Sequence, residues 1–166
     1  MLTTTSIDGI NWTTPKAIQS SSNLRLFSVA YGNGKYVTFN ESGYLSTSTD
    51  GINWTAPRKP IANLSSKVGG LAFINGKFIG VGNASANGQA IYSTDGENWT
   101  NYNIGNGSFS VILFGNGKYV AINVVGNIFT STNGENWTKN AISLSPQSSW
   151  INGAFGNCLL YTSDAA

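Results

Sequence analysis

The chain has 166 residues, of which 40% are apolar and only 10% are charged, and its formal net charge is +2. This composition excludes an acidic or disordered chain, and the scattered lysines offer no basic patch for nucleic acid. The chain has no His and one Cys, which excludes zinc sites, Cys–His nucleophiles and internal disulfides. No apolar run is long enough to span a bilayer, so we expect no membrane insertion.

A nine-residue motif occurs four times along the chain. Its copies are "TSIDGINWT" at 5–13, "TSTDGINWT" at 47–55, "YSTDGENWT" at 92–100 and "TSTNGENWT" at 130–138. Their tryptophans are separated by 42, 45 and 38 residues. A period of about 40 residues indicates a repeat architecture, in which each copy is one structural unit.

A second motif, built on Asn-Gly, alternates with the first. It reads "AYGNGKYV" at 30–37, "AFINGKFI" at 72–79 and "LFGNGKYV" at 113–120, and a fourth copy begins in "AFGN". Asn-Gly favours a type I′ hairpin, because both residues accept positive φ. The motif therefore predicts a hairpin in every unit.

Each unit is predicted to contain four short antiparallel strands, A to D. In the first complete unit, strand A is 26–32, B is 35–39, C is 44–48, and D starts at residue 53. Four strands in about 40 residues is the pattern of a β-propeller blade. The predicted fold class is all-β, an arc of about three complete four-stranded antiparallel blades with partial blades at both ends.

The same pattern divides the chain. Residues 1–157 are assigned to one β-propeller repeat fragment, with blades at about 24–62, 66–105 and 108–145. Residues 1–18 would be strands C and D of a preceding blade, and 148–157 would be strand A of a following one. Because propellers usually have four to eight blades, we expect the remaining blades of the same parent chain to be partners.

The last nine residues, "CLLYTSDAA" at 158–166, break the periodicity. They equal the translation of an adapter used in preparing sequencing libraries. We interpret them as a non-native tail on a metagenomic fragment, whose N-terminus is also expected to be cut. A divergent native terminus is the alternative. On the first interpretation, Cys158 carries no redox information.

The repeated "STDGENW" resembles the Asp-box, also called the bacterial neuraminidase repeat, whose usual form is S-x-D-x-G-x-x-W. This chain is one residue shorter between Asp and Trp, and its fourth copy has Asn133 in place of Asp. The resemblance covers nearly the whole chain and implies a sialidase-like β-propeller. It implies little about activity, because the box occurs in many propellers that are not sialidases.

We interpret the boxes as folding devices. The Asp would accept backbone N–H bonds, the Gly would supply positive φ, the Ser would tie the hairpin, and the Trp would cover the seam between blades. One Asp per blade is scattered around a ring, which argues against a metal or acid–base site. The Asn-Trp-Thr sequons are given little weight, because the same Asn serves the turn. The box residues are Ser6, Asp8, Gly9, Trp12, Ser48, Asp50, Gly51, Trp54, Ser93, Asp95, Gly96, Trp99, Ser131, Asn133, Gly134 and Trp137.

Length variation is confined to the B–C and D–A connections, which share one rim of a propeller. The second blade has three extra residues in "GNASANGQA" at 82–90. Variable loops on a rigid scaffold tend to carry binding residues. For Trp150 we favour a core position over stacking on a sugar, and for Arg58 and Lys59 a solvated loop over an anion site. The rim candidates are Glu41, Arg58, Lys59, Asn87, Gln89, Tyr102 and Trp150.

No catalytic, metal or cofactor site is expected. We predict a non-catalytic binding or structural module whose partner is a glycan or another protein. The repeats and the Asn/Ser/Thr-rich surface suit carbohydrate or surface recognition in a secreted bacterial protein or a phage tail, and the phage association is what resemblance to "YGNGKYV…STDGxNW" arrays implies. An extracellular or virion location is therefore favoured.

The alternative is a fragment of a sialidase-like glycoside hydrolase whose catalytic residues lie in missing blades. Such enzymes need an arginine cluster and a Tyr–Glu nucleophile pair. Here the only arginines are Arg25 and Arg58, and acidic residues outside the boxes are few. An intracellular interaction platform is a third possibility, because propellers support many roles.

Overall fold

A computed structural model describes residues 2–18, 25–64, 67–84, 87–143, 150–156 and 159–164. Every regular element in these ranges is a β-strand, and none of them holds a helix that would reach across a membrane. The predicted blade limits at residues 24, 66, 145 and 148, and the junction at 157–158, lie outside the described residues.

In the described ranges the strands form five antiparallel sheets, which follow one another along the chain. We name them the N-terminal pair, the first, second and third blades, and the C-terminal pair. Within each sheet, every strand pairs with the next one in sequence, as in a propeller blade. The strands are, in the same order, β1 (Leu2–Thr3) and β2 (Lys16–Ala17); β3 (Leu26–Gly32), β4 (Lys35–Asn40) and β5 (Leu45–Ser48); β6 (Val68–Ile74), β7 (Lys77–Ala84), β8 (Asn87–Ser93) and β9 (Thr100–Asn106); β10 (Phe109–Gly115), β11 (Lys118–Asn123), β12 (Asn127–Ser131) and β13 (Thr138–Ser143); β14 (Trp150–Gly156) and β15 (Leu159–Asp164).

The first blade has three strands, whereas the second and third have the four that the repeat predicts. Its fourth strand, expected from residue 53, is reduced to an isolated bridge between Leu45 and Arg58. Pro57 and Pro60 flank this bridge. Proline has no N–H to donate to a strand ladder, which explains why the strand does not extend.

The Asn-Gly pairs between strands A and B form the predicted type I′ hairpins. Asn33, Asn75 and Asn116 have φ values of 48°, 51° and 49°, and the glycines that follow them have 72°, 75° and 70°. Positive φ at both central residues defines this turn type. The prediction is confirmed, and the turns set the register of strands A and B in each blade.

Each box is a turn closed by its own Ser side chain and by an Asp side chain, or by Asn133 in the fourth copy. In the second copy, Asp50 Oδ1 accepts hydrogen bonds from the backbone N–H groups of Ile52 (2.8 Å) and Asn53 (2.7 Å). The Ser48 hydroxyl accepts one from the N–H of Gly51 (2.9 Å) and donates one to Asp50 Oδ1 (3.0 Å). The turn therefore satisfies its own polar groups without help from neighbouring strands.

The carboxylates of the three complete boxes ionise more readily than ordinary aspartates. Hydrogen bonds, chiefly the one from the backbone N–H of the asparagine three residues later, hold the pKa of Asp8, Asp50 and Asp95 well below the usual range. The second carboxylate oxygen accepts a bond from that asparagine's side-chain amide, at 2.7–2.8 Å. In the fourth box, Asn133 Oδ1 keeps the two backbone bonds, but its amide nitrogen is a donor and does not accept the third.

Replacing Asn133 with aspartate is expected to raise the thermal unfolding midpoint at neutral pH. The new carboxylate would accept the same charge-assisted bonds as the other boxes, so its pKa would fall on folding. Such a group stabilises the fold above its unfolded pKa of about 3.9, and the stabilisation is lost as the pH falls through the folded pKa. Melting curves should therefore show a higher unfolding midpoint for the variant than for the parent at neutral pH, and a smaller difference between the two midpoints in acid.

The matched control for this substitution is the reverse change, Asp95→Asn, which converts a complete box into the Asn133 type. Its midpoint should fall at neutral pH for the same reason. Equal midpoints for the parent and both variants at neutral pH would contradict the account.

Three of the four box tryptophans lie in seams between neighbouring sheets. Trp99 of the second blade packs edge-on against Phe39 of the first, with ring centroids 4.9 Å apart, and lies 6.4 Å from Phe78 of its own blade. Trp137 packs against the apolar cluster between the second and third blades, and Trp54 lines the cleft between the N-terminal pair and the first blade. Each of the three indole N–H groups donates to the carbonyl of its box glycine, at 2.7–3.2 Å.

Trp12 differs, because it is 60% exposed and does not cover a seam as the sequence analysis expects. A Cβ placed on Gly9, its box glycine, would meet nothing within 4 Å. Those placed on Gly51, Gly96 and Gly134 would contact the sheet that precedes each of them. The burial of the tryptophan therefore depends on a preceding sheet and not on the motif alone.

The core of the molecule lies between the blades. One apolar cluster joins the first and second blades and includes Phe39 and Phe78, which are fully buried. Another joins the second and third blades and includes Val81 and Phe109. A single four-stranded sheet cannot bury its own two faces, so the stacking of neighbours stabilises each blade.

The C-terminal pair contains a strand where the sequence analysis placed a tail. Residues 159–164 form β15, which pairs with β14 in a hairpin register that runs through Phe155 and Leu160. This pairing gives β14 the hairpin partner that strand A has in the three blades. The non-native origin of residues 158–166 stays a prediction, since a short segment rich in Leu, Tyr and Thr suits an unpaired strand edge whatever its source.

Candidate binding site

A groove runs between the inner strands, which are strand A of each successive sheet (β3, β6, β10 and β14). These strands contact one another in chain order, and each is an edge strand that pairs with only one neighbour in its sheet. The groove between them, called here the axial groove, has a volume of about 290 Å³. Its lining residues come from all four strands: Phe27, Ser28, Gly69, Gly70, Leu71, Ser110, Val111, Ile112, Leu113 and Gly153.

Every inner strand is bulged at its second residue. The register to the hairpin partner shifts there in all four sheets, at Phe27, Gly69, Ser110 and Ile151. Because strand A begins at the D–A connection, these bulges lie at the end of the groove that opens on the variable rim. Bulges re-aim the chain and are frequent beside functional sites. No residue pattern in the chain predicts these bulges.

Glycines allow two of the inner strands to approach closely. A Cβ on Gly69 would lie 2.8 Å from Phe109 O and from Ser110 Cα. One on Gly70 would lie 2.9 Å from Ser110 O and 3.0 Å from Ile112 N. Since these atoms belong to the backbone of β10, the width of the groove between β6 and β10 depends on the missing side chains.

The B–C turns on the rim are built on a buried asparagine at the end of strand B. Asn40 is 5% exposed, and its Oδ1 accepts bonds from the N–H groups of Ser42 (2.9 Å) and Tyr44 (3.0 Å). Asn123 makes the equivalent two bonds in the third blade. Both asparagines stand five residues after the Lys of an Asn-Gly-Lys sequence, a signal that would have identified them.

A cation and an aromatic ring meet on the rim of the first blade. The Lys59 ammonium lies over the ring of the exposed Tyr44, 5.3 Å from its centroid, and the half-buried Glu41 stands three residues before Tyr44 in the same turn. Glu41 and Lys59 were predicted rim residues, whereas Tyr44 was not. The cluster offers one aromatic ring and both signs of charge within a single turn and its neighbouring loop.

Arg58 lies in an exposed loop, with 45% of its side-chain surface exposed, and its guanidinium has a partner. Its guanidinium binds Glu97 in the box of the second blade, at 2.5 Å from Oε2 and 2.8 Å from the backbone oxygen. Lys35 binds the other carboxylate oxygen at 2.8 Å. Partial burial alone would raise the pKa of Glu97, but the bonds from Lys35 and Arg58 outweigh it and lower that pKa. The Arg58 bond therefore links the first blade to the box of the second, and an anion-binding role for Arg58 stays the less favoured interpretation.

The remaining rim candidates divide into open and closed positions. Asn87 is exposed at the start of β8. Gln89 is only 8% exposed, because its side chain accepts a bond from Asn101 at 2.7 Å inside the sheet. Tyr102 stacks on Tyr92, with ring centroids 4.9 Å apart. Gln89 is therefore closed inside the sheet, Tyr102 has an aromatic partner on one face, and a binding role for either stays a prediction. The side chain of Trp150 lies outside the described part of the structure.

The acidic side chains are mostly committed to structural bonds. The box aspartates are held in their turns, and Glu97 is bound by two cations. Of the seven acidic residues, Glu41 and Glu135 are left with described side chains, and they lie in different blades, one on the rim and one in a box. Within the described ranges, no three His, Cys, Asp or Glu side chains are placed to hold a metal ion.

No protein-family model matches the chain, and no curated protein sequence matches it. Solved structures do. A structure of YCF48 bound to D1 peptide has a TM-score of 0.61 and 22% identity, over 75% of this chain and 42% of that one. YCF48 from Cyanidioschyzon merolae has a TM-score of 0.57 and 18% identity, over 89% of this chain and 50% of that one. Together with the radial order of the sheets, these matches decide the fold.

The chain is a partial β-propeller. The computationally designed Ika4 protein is also similar, with a TM-score of 0.59 and 12% identity over 87% of this propeller and 88% of the designed chain. The propeller spans half or less of the two YCF48 structures. All three identities are low, so the likeness concerns the fold.

Proposed function

We propose that this propeller is a non-catalytic binding module that takes a protein segment in the axial groove and on the rim around it. The observation that carries the proposal is the groove, where the edges of four inner strands converge. A strand edge presents backbone N–H and C=O groups that an extended peptide pairs with. Phe27 is 43% exposed at the mouth and supplies an apolar contact.

Two further observations support a protein segment as the ligand. The carboxylates of the box aspartates and of Glu97 and the guanidinium of Arg58 are held in structural bonds, and the other described carboxylates, Glu41 and Glu135, lie in different blades. In addition, one structural neighbour is YCF48 bound to D1 peptide. That complex is a precedent for peptide binding by this fold.

The proposal predicts that linear peptides selected from a random display library will bind at the rim end of the groove. Phe27→Ala should weaken the selected peptides by about tenfold, which is about 1.4 kcal/mol, because an exposed aromatic anchor is lost. Fluorescence anisotropy measures the affinity. Amide shifts in NMR spectra should map the peptide to Gly69–Leu71 and Ser110–Leu113.

Tyr31→Ala is the matched control, because Tyr31 is 56% exposed on the same strand but at its hairpin end. It should leave the affinity unchanged. Shifts confined to the Asn-Gly hairpins, equal losses in the two variants, or a library that yields no binder would overturn the proposal.

Carbohydrate recognition, as in a secreted bacterial protein or a phage tail, is the second candidate. The observation in its favour is the rim cluster of Glu41, Tyr44 and Lys59, since an exposed aromatic ring flanked by polar groups suits a sugar face. A glycan array distinguishes the candidates. Glycan binding abolished by Tyr44→Ala and untouched by Phe27→Ala would favour the sugar over the peptide.

The sialidase-like hydrolase alternative gains no support from the geometry. Arg58, one of the two arginines in the chain, is bound by Glu97. Arg25 lies at the entry to β3, with its backbone oxygen accepting a bond from the N–H of Glu41. The substrate carboxylate of a sialidase would need several guanidinium groups at one site.

A further inference from the structure

Two cationic residues stand where neighbouring inner strands begin, at the rim end of the axial groove. Arg25 immediately precedes β3, and Lys67 immediately precedes β6. The third blade has Ser108 at the same position before β10. The backbone oxygens of Arg25 and Ser108 accept matching bonds of 2.8 Å from the first residue of the B–C turn in their blades. The three positions are therefore equivalent, and two of them carry a positive charge.

The side chain of Lys67 reaches from the second blade to the first. Its ammonium lies over the ring of Phe27, 4.9 Å from the centroid. Phe27 lines the axial groove and is 43% exposed, and Lys67 is half-buried, so both side chains still meet solvent. The contact therefore holds a positive charge at the mouth of the groove, beside the ring that we propose as its apolar anchor.

No carboxylate in the described residues neutralises these two cations. The ion pairs there involve Lys35 and Arg58, which both bind Glu97. The ring of Phe27 attracts the Lys67 ammonium through its quadrupole, but it carries no formal charge. The rim end of the groove thus keeps a positive potential that attracts an anionic group.

The acidic side chains lie mostly at the opposite end of the blades, where the boxes and the Asn-Gly hairpins are. Among the acidic residues whose side chains the structure describes, Glu41 alone is on the rim. The others are in the boxes: Asp8, Asp50, Asp95, Glu97 and Glu135. An anionic ligand that approaches the rim therefore meets the cations with little repulsion from carboxylates.

The lining of the groove itself is uncharged, because it consists of glycines, serines and apolar residues. The backbone of an edge strand pairs with an extended segment whatever the side chains of that segment are. Any preference for charge must therefore come from residues at the ends of the groove. An extended segment presents every second side chain to the same side, so one of these can reach Lys67 at the mouth.

We propose that the axial groove selects an acidic protein segment, and that Lys67 determines this specificity by binding an Asp or Glu side chain of the ligand. Arg25 adds to the attraction from the neighbouring blade. The inference rests on the binding function proposed above and names the class of segment that the groove takes. Charges of this kind act on partner choice and on the rate of association more than on total affinity.

The inference predicts the composition of the peptides that the groove selects from a random display library. Selection on the parent protein should enrich Asp and Glu. Selection on Lys67→Glu should enrich Lys and Arg instead, because the charge at the mouth is reversed. A library without any binder contradicts the binding function itself. Binders without a charge preference leave that function standing and overturn this inference alone.

The affinities of selected peptides, synthesised with blocked termini, test the role of Lys67. Lys67→Met removes the ammonium but keeps an unbranched side chain over Phe27. Fluorescence anisotropy should show an acidic peptide bound about threefold more weakly, and its Gln counterpart bound as before, since an exposed ion pair contributes less than a factor of ten. The difference should vanish in about 1 M salt, where the Debye length is about 3 Å.

Lys118→Met is the matched control, because Lys118 is exposed at the start of β11, at the hairpin end of the third blade. It removes the same charge far from the rim and should leave both affinities unchanged. Equal losses in Lys67→Met and Lys118→Met would mean that only net charge matters and would contradict the inference. So would an undiminished acidic preference in Lys67→Met, or a preference that requires a free C-terminal carboxylate on the peptide.

Discussion

Replacing Trp99 with alanine is expected to lower the free energy of unfolding by about 3 kcal/mol. The indole lies in the seam between the first and second blades, against Phe39 of one and Phe78 of the other. Both phenylalanines are fully buried, so the truncation leaves a cavity in a packed core that backbone shifts fill only in part. The loss of the indole bond to Gly96 O leaves a backbone acceptor without its partner.

Urea unfolding followed by circular dichroism measures the change. Trp12→Ala is the matched control, because it makes the same substitution at the same position of the same motif. Trp12 is 60% exposed, so its loss should change the free energy of unfolding by no more than about 0.5 kcal/mol. Equal effects at the two positions would show that the tryptophan acts within its turn and not in a seam.

Replacing Gly70 with alanine is expected to cost about 2 kcal/mol and to distort the axial groove. The added methyl would lie 2.9 Å from Ser110 O and 3.0 Å from Ile112 N. Both atoms belong to the backbone of β10, so no side chain can rotate away, and β6 and β10 must separate. Separation of the two strands would loosen the side-chain packing in the seam between the second and third blades.

Ser28→Ala is the control for this second substitution, because Ser28 holds the same register position in the first blade. Its hydroxyl makes a long contact of 3.4 Å with Val68 O, so we expect a loss of about 0.5 kcal/mol or less. Urea unfolding compares the two variants. If Gly70→Ala proved as stable as Ser28→Ala, the close approach of β6 and β10 would not depend on the glycine.

The repeat units and their turns could be predicted from the sequence, because the signals for them are local. Asn33 and its following glycine specify a type I′ turn whatever surrounds them. The box around Asp50 likewise closes on bonds between residues at most three apart. Such turns carry their own energetic preference, so four copies in phase are enough to indicate blades.

The exposure of the rim side chains could not be predicted in the same way, because it depends on contacts between residues that are distant in the chain. Arg58 binds Glu97, which lies 39 residues later in the chain, and no local pattern predicts that contact. Gln89 is closed by Asn101 on the neighbouring strand. Trp12 and Trp99 share one motif but differ in exposure, because Trp99 packs on Phe39 of the first blade whereas Trp12 is 60% exposed.

The axial groove could not be predicted from the sequence for a different reason. The bulges at Phe27, Gly69 and Ser110 fall at one register position but share no side-chain type. A bulge is a property of the pairing between two strands, so no single residue signals it. Only the structure shows that the same irregularity recurs around the groove.

The direction in which the box tryptophans pack has a consequence for folding during synthesis on the ribosome. Trp99 and Trp137 each close onto the blade that comes before their own. When a blade leaves the ribosomal exit tunnel, the preceding blade, against which its tryptophan packs, has already been synthesised. We therefore expect the blades to fold in the order of their synthesis, with each new blade packing against the preceding one.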